Sequence, residues 1–159
     1  MKSTNCDAVK LEGGKKIVNI IKYLTKAGIP VMGHVGLLPQ FSSNFKIRGK
    51  NLFQKKQILE DAKALSNSGV FAIVIECVVE DLAKKITNSI SVPTIGIGAS
   101  KYCDGQILVI DDVIGLSDFK PKFVKQYFNV KRIIEKSVKN YCADVKSGRF
   151  PTSKNVYKF

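Results

Sequence analysis

Apolar residues recur at helical spacing in five segments of the chain. The pattern i, i+3, i+4 places apolar side chains on one face of a helix, the face that is buried in a folded protein. The fourth segment predicts a short helix and the fifth a long one. The predicted apolar faces are Ile17, Ile20, Ile21 and Leu24; Ile58, Leu59, Ala62 and Leu65; Val79, Leu82, Ala83 and Ile86; Phe119, Phe123, Val124 and Tyr127; and Val130, Ile134, Val138, Tyr141 and Val145.

Five short β-rich runs alternate with these helices. Each run is almost continuously apolar, which is typical of strands covered on both faces. Strands that alternate with helices predict a parallel sheet built from βα units. The predicted strands are DAVKL (7–11), VMGHV (31–35), VFAIVIEC (70–77), PTIGIGA (93–99) and QILVI (106–110).

Two parallel architectures fit this order, a doubly wound open sheet and a (β/α)8 barrel, the TIM barrel. No GxGxxG follows the first strand, and Gly96, Gly98 and Gly105 are too widely spaced to form one. The sequence therefore favours an α/β barrel, here an incomplete one of about five βα units. Residues 1–159 are expected to form a single partial domain.

Composition narrows the class of protein. The 159 residues are 45% hydrophobic and 25% charged, which suits one globular domain with a sizeable core. No apolar run is long enough to cross a bilayer, and the N-terminal MKSTNCDAVK lacks the basic-then-apolar order of a secretory signal. The four cysteines are scattered and the chain has one histidine, which argues against a structural zinc site. A cytoplasmic protein without a membrane partner is expected.

The charge balance is strongly basic. The chain has 26 Lys and Arg against 13 Asp and Glu, a formal net charge of +13, which raises the hypothesis of nucleic-acid binding. The lysines, however, spread through every predicted helix and both tails, and no ribonucleoprotein-type motif is present. Nucleic-acid binding is therefore kept only as an alternative function.

Titratable residues lie where predicted strands end, which is where a barrel carries its catalytic groups. Strand alternation sends Lys10 and Glu12 to the same side, and the Gly13-Gly14 that follows them allows the backbone to approach a ligand closely. Glu76 is a carboxylate in an apolar run, and poor hydration there favours its action as a general base. Structural alternatives are a local ion pair, a structural histidine and a buried glutamate paired with lysine. We instead expect an active site that contains Lys10, Glu12, His34 and Glu76.

Five motifs, in order, resemble the second half of the ketopantoate hydroxymethyltransferase family: VKLEGG, GHVGLLPQ, IVIECV, PTIGIGAS followed by CDGQILV, and PKFVKQY. The likeness extends from Ala8 to about Pro151. It implies a Mg2+-dependent (β/α)8 barrel enzyme of pantothenate biosynthesis that forms a homo-oligomer, a decamer. The implied reaction transfers a one-carbon unit from 5,10-methylenetetrahydrofolate to 3-methyl-2-oxobutanoate and gives 2-dehydropantoate.

The resemblance also implies residue roles. Glu76 matches the general base that takes the C3 proton, and Glu12 matches a carboxylate of the metal site. Lys10 and His34 match groups that bind the 2-oxo acid. Another Mg2+-dependent 2-oxo acid barrel, of the phosphoenolpyruvate mutase and isocitrate lyase group, is the alternative enzyme, although no lyase cysteine motif is visible.

The chain departs from the family pattern at its start. The family's first three strands, which carry two metal-binding aspartates and a substrate-binding serine, have no counterpart before residue 7. We therefore expect strands four to eight of the barrel, a fragment that alone is inactive or pairs with another chain. The segment 41–50 is also shorter than the family's loop, and Asp111 stands where histidine is usual.

Overall fold

The computed structural model describes residues 3–41, 45–118 and 120–158. Its contacts divide the chain into two compact units, the first ending at Ile107 and the second beginning at Leu108. The first unit carries a five-stranded sheet with helices, and the second carries two further helices. That the chain is one partial barrel domain stays a prediction. None of the described helices has the length and apolar character needed to span a membrane.

The sheet is parallel throughout. Its spatial order follows the order of the chain, whereas the strand order of a doubly wound sheet reverses at a switch point. The prediction of an α/β fold is therefore confirmed, and the topology agrees with part of a (β/α)8 barrel. The strands are β1 (Val9–Glu12), β2 (Val31–Gly36), β3 (Ala72–Glu76), β4 (Thr94–Ile97) and β5 (Gly105–Gln106).

Three helices follow the first three strands. Asn51 caps the second of them, because its side chain accepts a hydrogen bond from the Gln54 N–H at 2.9 Å. Short 3-10 turns at Lys15–Ile17 and Pro39–Phe41 lie at the carboxyl ends of β1 and β2. The helices are α1 (Val18–Lys26), α2 (Leu52–Ser66) and α3 (Glu80–Thr87).

The apolar core joins one face of the sheet to the helices. Ile73 and Ile75 of β3 are fully buried in one cluster with Leu65 of α2 and Ile86 of α3. Each such side chain contributes about 1.5–3 kcal/mol by leaving water. Gly33 of β2 lies under Leu65, whose Cδ1 would be 3.0 Å from an added Cβ. Strand alternation leaves the other face of the same strands for polar side chains.

The last strand and the helix after it differ from the prediction. β5 is only two residues long and does not extend over residues 106–110; α4 (Ile110–Ile114) follows it instead. Asp111-Asp112 lies in the first turn of α4, where negatively charged carboxylates interact favourably with the helix dipole. Gly115, with φ of 71°, ends this helix in a left-handed conformation. The apolar run of QILVI was therefore a misleading signal.

The short helix predicted over residues 119–127 is wrong in the part that the structure describes. Residues 120–127 form turns and irregular chain, and the Val124 N–H donates to the Pro121 carbonyl at 2.9 Å. Proline has no N–H to continue a helical ladder, which favours a turn here. Residue 119 lies outside the described residues. The long helix is confirmed as α5 (Val130–Lys146).

Candidate active site

Glu12, His34 and Glu76 lie together on the face of the sheet opposite the core, near the carboxyl ends of β1, β2 and β3. Glu12 is paired in register with His34, so both point to the same side of the sheet. Glu76 of β3 is paired with Gly36, which lies two residues after His34 on β2. We call these three residues the carboxylate–imidazole cluster. They were predicted from the sequence, and the structure brings them together.

The imidazole of His34 lies between the two carboxylates and is completely buried, with 0% exposure. Its Nδ1 is 3.8 Å from Oε1 of Glu12, and its Nε2 is 3.3 Å from Oε2 of Glu76. Among the described residues, neither ring nitrogen has a hydrogen-bond partner. A buried polar atom without a partner is costly and is rare unless a ligand or function accounts for it.

Glu12 is held by the loop after β2. Its side chain is 3% exposed, and its Oε2 accepts a hydrogen bond from the Gln40 N–H at 3.2 Å. The turn that follows Glu12 packs closely against α2, and its approach to a ligand stays a prediction. At Gly14, with φ of 45°, an added Cβ would be 2.2 Å from Cγ of Asp61, so the close approach is to a side chain of α2. The Lys15 N–H donates to Oδ1 of Asp61 at 2.8 Å, which fixes the turn.

Glu76 ends β3 with its side chain 14% exposed, so water or a small molecule can reach it. The next residue, Cys77, has φ of 51°, a left-handed conformation that is uncommon for a side chain of this kind. The Cys77 N–H donates to the Ile97 carbonyl at 2.9 Å, and the Cys77 carbonyl accepts from the Arg48 N–H at 2.7 Å. These two bonds hold the strand end rigidly beside the cluster.

The thiol of Cys77 is not a candidate nucleophile. Burial, together with the charge of Glu76, raises its pKa to about 12. The thiolate is the reactive form of cysteine, so this thiol stays protonated and inert near neutral pH.

Lys10 is the fourth predicted site residue, and unlike the other three it is exposed. It is exposed on β1, two residues before Glu12, and pairs in register with Met32. Within the described ranges it makes no hydrogen bond or ion pair. Alternation puts it on the same face as the cluster, but no hydrogen bond or ion pair joins them in the described structure.

A magnesium site is not complete in this part of the chain. Mg2+ prefers octahedral coordination by oxygen ligands. The described residues contain no group of three or more His, Cys, Asp or Glu arranged to hold a metal. Glu12 offers one carboxylate, with one of its oxygens already bound to the Gln40 N–H. These residues on their own therefore do not fit Mg2+.

Sequence reasoning missed two groups that shape the site, the Gln40 N–H and the Asp61 carboxylate. Asp61 is 46 residues from the turn that it fixes, and Gln40 is 28 residues from Glu12. No local pattern reports contacts of this length. The Gly13-Gly14 pair indicates a close approach at this turn, and the structure shows that Asp61 makes one there.

Comparison with known proteins identifies the family of this chain. The model of the family described as ketopantoate hydroxymethyltransferase matches residues 1–153. A protein named 3-methyl-2-oxobutanoate hydroxymethyltransferase from Pelagibacter ubique (strain HTCC1062) is 54% identical over 154 residues, which is 97% of this chain and 60% of that protein. Proteins of the same name from Clostridium botulinum (strain Langeland) and Sulfurisphaera tokodaii are each 51% identical and cover 99% and 96% of this chain.

The chain spans about 60% of the length of these relatives, with 59% and 58% for the last two. The family predicted from the five motifs is thus confirmed, in preference to the phosphoenolpyruvate mutase and isocitrate lyase group. The match runs through all three strands that carry the carboxylate–imidazole cluster. The chain belongs to the ketopantoate hydroxymethyltransferase family.

Proposed function

We propose that this chain carries part of the active site for transfer of a one-carbon unit from 5,10-methylenetetrahydrofolate to 3-methyl-2-oxobutanoate. The observation that supports it most is the buried imidazole of His34, flanked by two carboxylates and lacking a hydrogen-bond partner among the described residues. A 2-oxo acid has carbonyl and carboxylate oxygens that can accept hydrogen bonds from an imidazole N–H. The name of the relatives, 3-methyl-2-oxobutanoate hydroxymethyltransferase, supports the choice of 2-oxo acid.

Glu76 is the proposed general base. It removes the proton from C3 of the 2-oxo acid, and the electron pair of the broken C–H bond forms an enolate. C3 of the enolate then bonds to the methylene carbon of 5,10-methylenetetrahydrofolate, and water supplies the hydroxyl group of 2-dehydropantoate. The two C–N bonds of that methylene carbon break, and tetrahydrofolate leaves after its nitrogens take up the proton removed from C3 and one proton of the water. The side chain suits this role because it is mostly buried yet open enough to meet a small substrate.

The other predicted residues have supporting roles in this proposal. Lys10 attracts the anionic substrate with its exposed ammonium, and His34 orients it through a ring nitrogen. Glu12 would give Mg2+ one of its oxygen ligands, and the rest of the ligand set would come from outside the described residues. A bound Mg2+ acts as a Lewis acid in reactions of this type. We also propose that the enzyme is a homo-oligomer and acts in the cytoplasm.

Exchange of the C3 proton tests the base directly. The chain is mixed with the part of the Pelagibacter ubique relative that it does not match and is incubated with 3-methyl-2-oxobutanoate and MgCl2 in D2O. Loss of the C3 proton signal is followed by NMR. This readout needs no folate, so it isolates the first step. We expect Glu76→Gln to lower the exchange rate by about 100-fold or more, because a positioned base contributes that much.

The matched control is Glu80→Gln, an exposed glutamate in the first turn of α3 and outside the cluster. It should exchange at the wild-type rate, and circular dichroism should show that both variants are folded. Wild-type exchange in Glu76→Gln would remove Glu76 as the base. A wild-type mixture that neither binds the 2-oxo acid nor exchanges its proton would contradict the proposed function.

A further inference from the structure

The face of the sheet that carries the carboxylate–imidazole cluster has an apolar side, formed by β4. Its two isoleucines, Ile95 and Ile97, are half-buried, and in the described structure neither belongs to the apolar core cluster. Ile97 is paired in register with Glu76 of β3. Residues paired in a parallel ladder project to the same side of the sheet, so Ile97 stands beside the proposed base.

The glycine before Ile97 gives independent evidence for the direction of the isoleucine side chain. A Cβ added at Gly96 would be 3.1 Å from Sγ of Cys103, which is part of the apolar core. Gly96 therefore faces the core, and the next residue of the strand faces the opposite side of the sheet. That side is the one on which the carboxylate–imidazole cluster lies.

Backbone hydrogen bonds hold Ile97 in place relative to Glu76. The Ile97 carbonyl accepts the Cys77 N–H at 2.9 Å, and Cys77 directly follows Glu76. On the other side of β4, the Gly96 carbonyl accepts the Ile107 N–H at 3.0 Å. Because the strand is bonded on both sides, Ile97 forms a preorganised wall beside the base, and binding against it costs little conformational entropy.

The chemical character of this face changes from charged to apolar along the strand order. Neighbouring strands lie about 4.8 Å apart, so β2 and β4 are about 10 Å apart with β3 between them. A 2-oxo acid has groups in a matching order, with its carboxylate and carbonyl at one end, C3 next, and the methyl groups on C3 at the other end. From β1 to β4, the residues of this face are Lys10 and Glu12, His34, Glu76, and Ile97.

We propose that Ile97 is a specificity-determining residue that contacts the alkyl group of the 2-oxo acid, an inference that rests on the proposed function. When Glu76 faces the C3 proton, the two methyl groups on C3 lie against the Ile97 side chain. Contact with this side chain removes the methyl groups from water, which favours a branched alkyl group. The same side chain limits the space for a longer alkyl chain, so the site discriminates against larger 2-oxo acids.

Proton exchange with two 2-oxo acids tests the inference. The chain is mixed with the part of the Pelagibacter ubique relative that it does not match, and loss of the C3 proton in D2O with MgCl2 is followed by NMR. The two acids are 3-methyl-2-oxobutanoate and 3-methyl-2-oxopentanoate, which is longer by one methylene. We expect Ile97→Ala to shift the ratio of the two exchange rates by about tenfold toward the longer acid. Ile97→Val, which removes one methylene, should shift it by about fourfold.

Ile95→Ala is the matched control. Ile95 lies on the same face of β4, two residues nearer the start of the strand, and is paired with Val74 instead of Glu76. This variant should leave the ratio unchanged. The ratio is the informative readout, because a loss of folded protein lowers both exchange rates equally. Circular dichroism checks the fold, and the ratio in Ile97→Val decides the question where Ile97→Ala is unfolded.

The same measurements separate this inference from the proposed function. Wild-type exchange that depends on Glu76, with a ratio that the Ile97 variants do not change, would overturn the inference and leave the proposed function standing. An equal shift in Ile97→Ala and Ile95→Ala would also overturn it. A wild-type mixture that exchanges neither acid would count against the proposed function and, with it, against this inference.

Discussion

The two long helices of this protein, α2 in the first unit and α5 in the second, differ in what their apolar faces touch. α2 buries Ile58, Ala62 and Leu65. α5 has the more regular apolar stripe, yet it buries none of its residues, and Val138 in the middle of the stripe is 55% exposed. Both helices are capped by an asparagine, so they do not differ in how they start.

The difference shows that a helical stripe indicates which face can be buried, but a facing surface decides whether it is. The face of α2 packs into the same cluster as Ile73 and Ile75 of β3. In the second unit, the described residues give the stripe of α5 no such cover. Most helical stability in proteins comes from tertiary packing and not from propensity, so the two helices should respond differently to the same mutation.

The largest expected effect comes from removing a core side chain of the first unit. Ile73→Ala should lower the free energy of unfolding by about 2–5 kcal/mol, because Ile73 is fully buried and the substitution leaves a cavity. Val138→Ala on α5 should change it by about 0.5 kcal/mol or less, since an exposed side chain loses little. Urea unfolding followed by circular dichroism measures both. A cost for Val138→Ala close to that of Ile73→Ala would mean that the α5 stripe is covered in solution.

A smaller effect is expected from two glycines with positive φ, one in each unit. At Gly36, with φ of 98°, an added Cβ would be 2.2 Å from the Glu76 carbonyl oxygen and 2.6 Å from Cγ2 of Val78. Gly148, with φ of 68°, has no atom within 4 Å of that position in the described structure. Gly36→Ala should therefore cost about 2–4 kcal/mol through strain and overlap. Gly148→Ala should cost about 1 kcal/mol, from backbone strain alone.

Thermal unfolding of the two glycine variants measures these losses of stability. Equal costs would show that backbone conformation alone sets the penalty, and that the contact at the end of β2 is unimportant. Because Gly36 abuts the backbone of Glu76, Gly36→Ala should also slow the C3 proton exchange, whereas Gly148→Ala should leave it unchanged.

The smallest effect concerns one aspartate in each unit. Hydrogen bonds from the backbone N–H and hydroxyl of Thr94, at 2.8 and 2.9 Å, lower the pKa of Asp104. The hydrogen bond and charge of Lys131 lower the pKa of Asp118. A carboxyl whose pKa is lowered on folding stabilises the protein when the pH is above the ordinary pKa of 3.8. This stabilisation is lost as the pH falls through the folded pKa.

Salt should distinguish these two aspartates in acid titrations of stability. Raising NaCl to about 1 M should weaken the contribution of Asp118, whose partner is a charged lysine, because the screening length falls to about 3 Å. The contribution of Asp104 should persist, since neutral groups of threonine supply its hydrogen bonds. Asp104→Asn should flatten the acid limb at either salt concentration. An Asp104 contribution that vanishes with salt would contradict the hydrogen-bond explanation.

The predictable part of the fold is the part whose pattern is local. The strands at 31–36 and 72–76 and the helices at 52–66 and 130–146 lie where apolar periodicity placed them. The two failures, at 106–110 and 119–127, are short apolar runs beside Asp111-Asp112 and Pro121. There, helix-start and turn chemistry outweighed the apolar pattern.

The candidate site was predictable to a similar degree. Glu12, His34 and Glu76 stand at strand ends, and parallel pairing of neighbouring strands brings such ends together. Lys10 was expected in the same group because it shares their face. In the described structure it is exposed and makes no hydrogen bond or ion pair with them, because alternation fixes only the direction of a side chain and not its reach.

The sequence by itself determined the parallel α/β topology, the family and the residues that end the central strands, since each is written in local periodicity or in motifs. Only the tertiary structure decided that His34 lies between two carboxylates, that Asp61 fills the space above Gly14, and that α2 is buried while α5 is not. These facts depend on atoms brought together across dozens of residues. Packing and hydrogen bonding between distant segments set them, and no short stretch of the chain contains both partners.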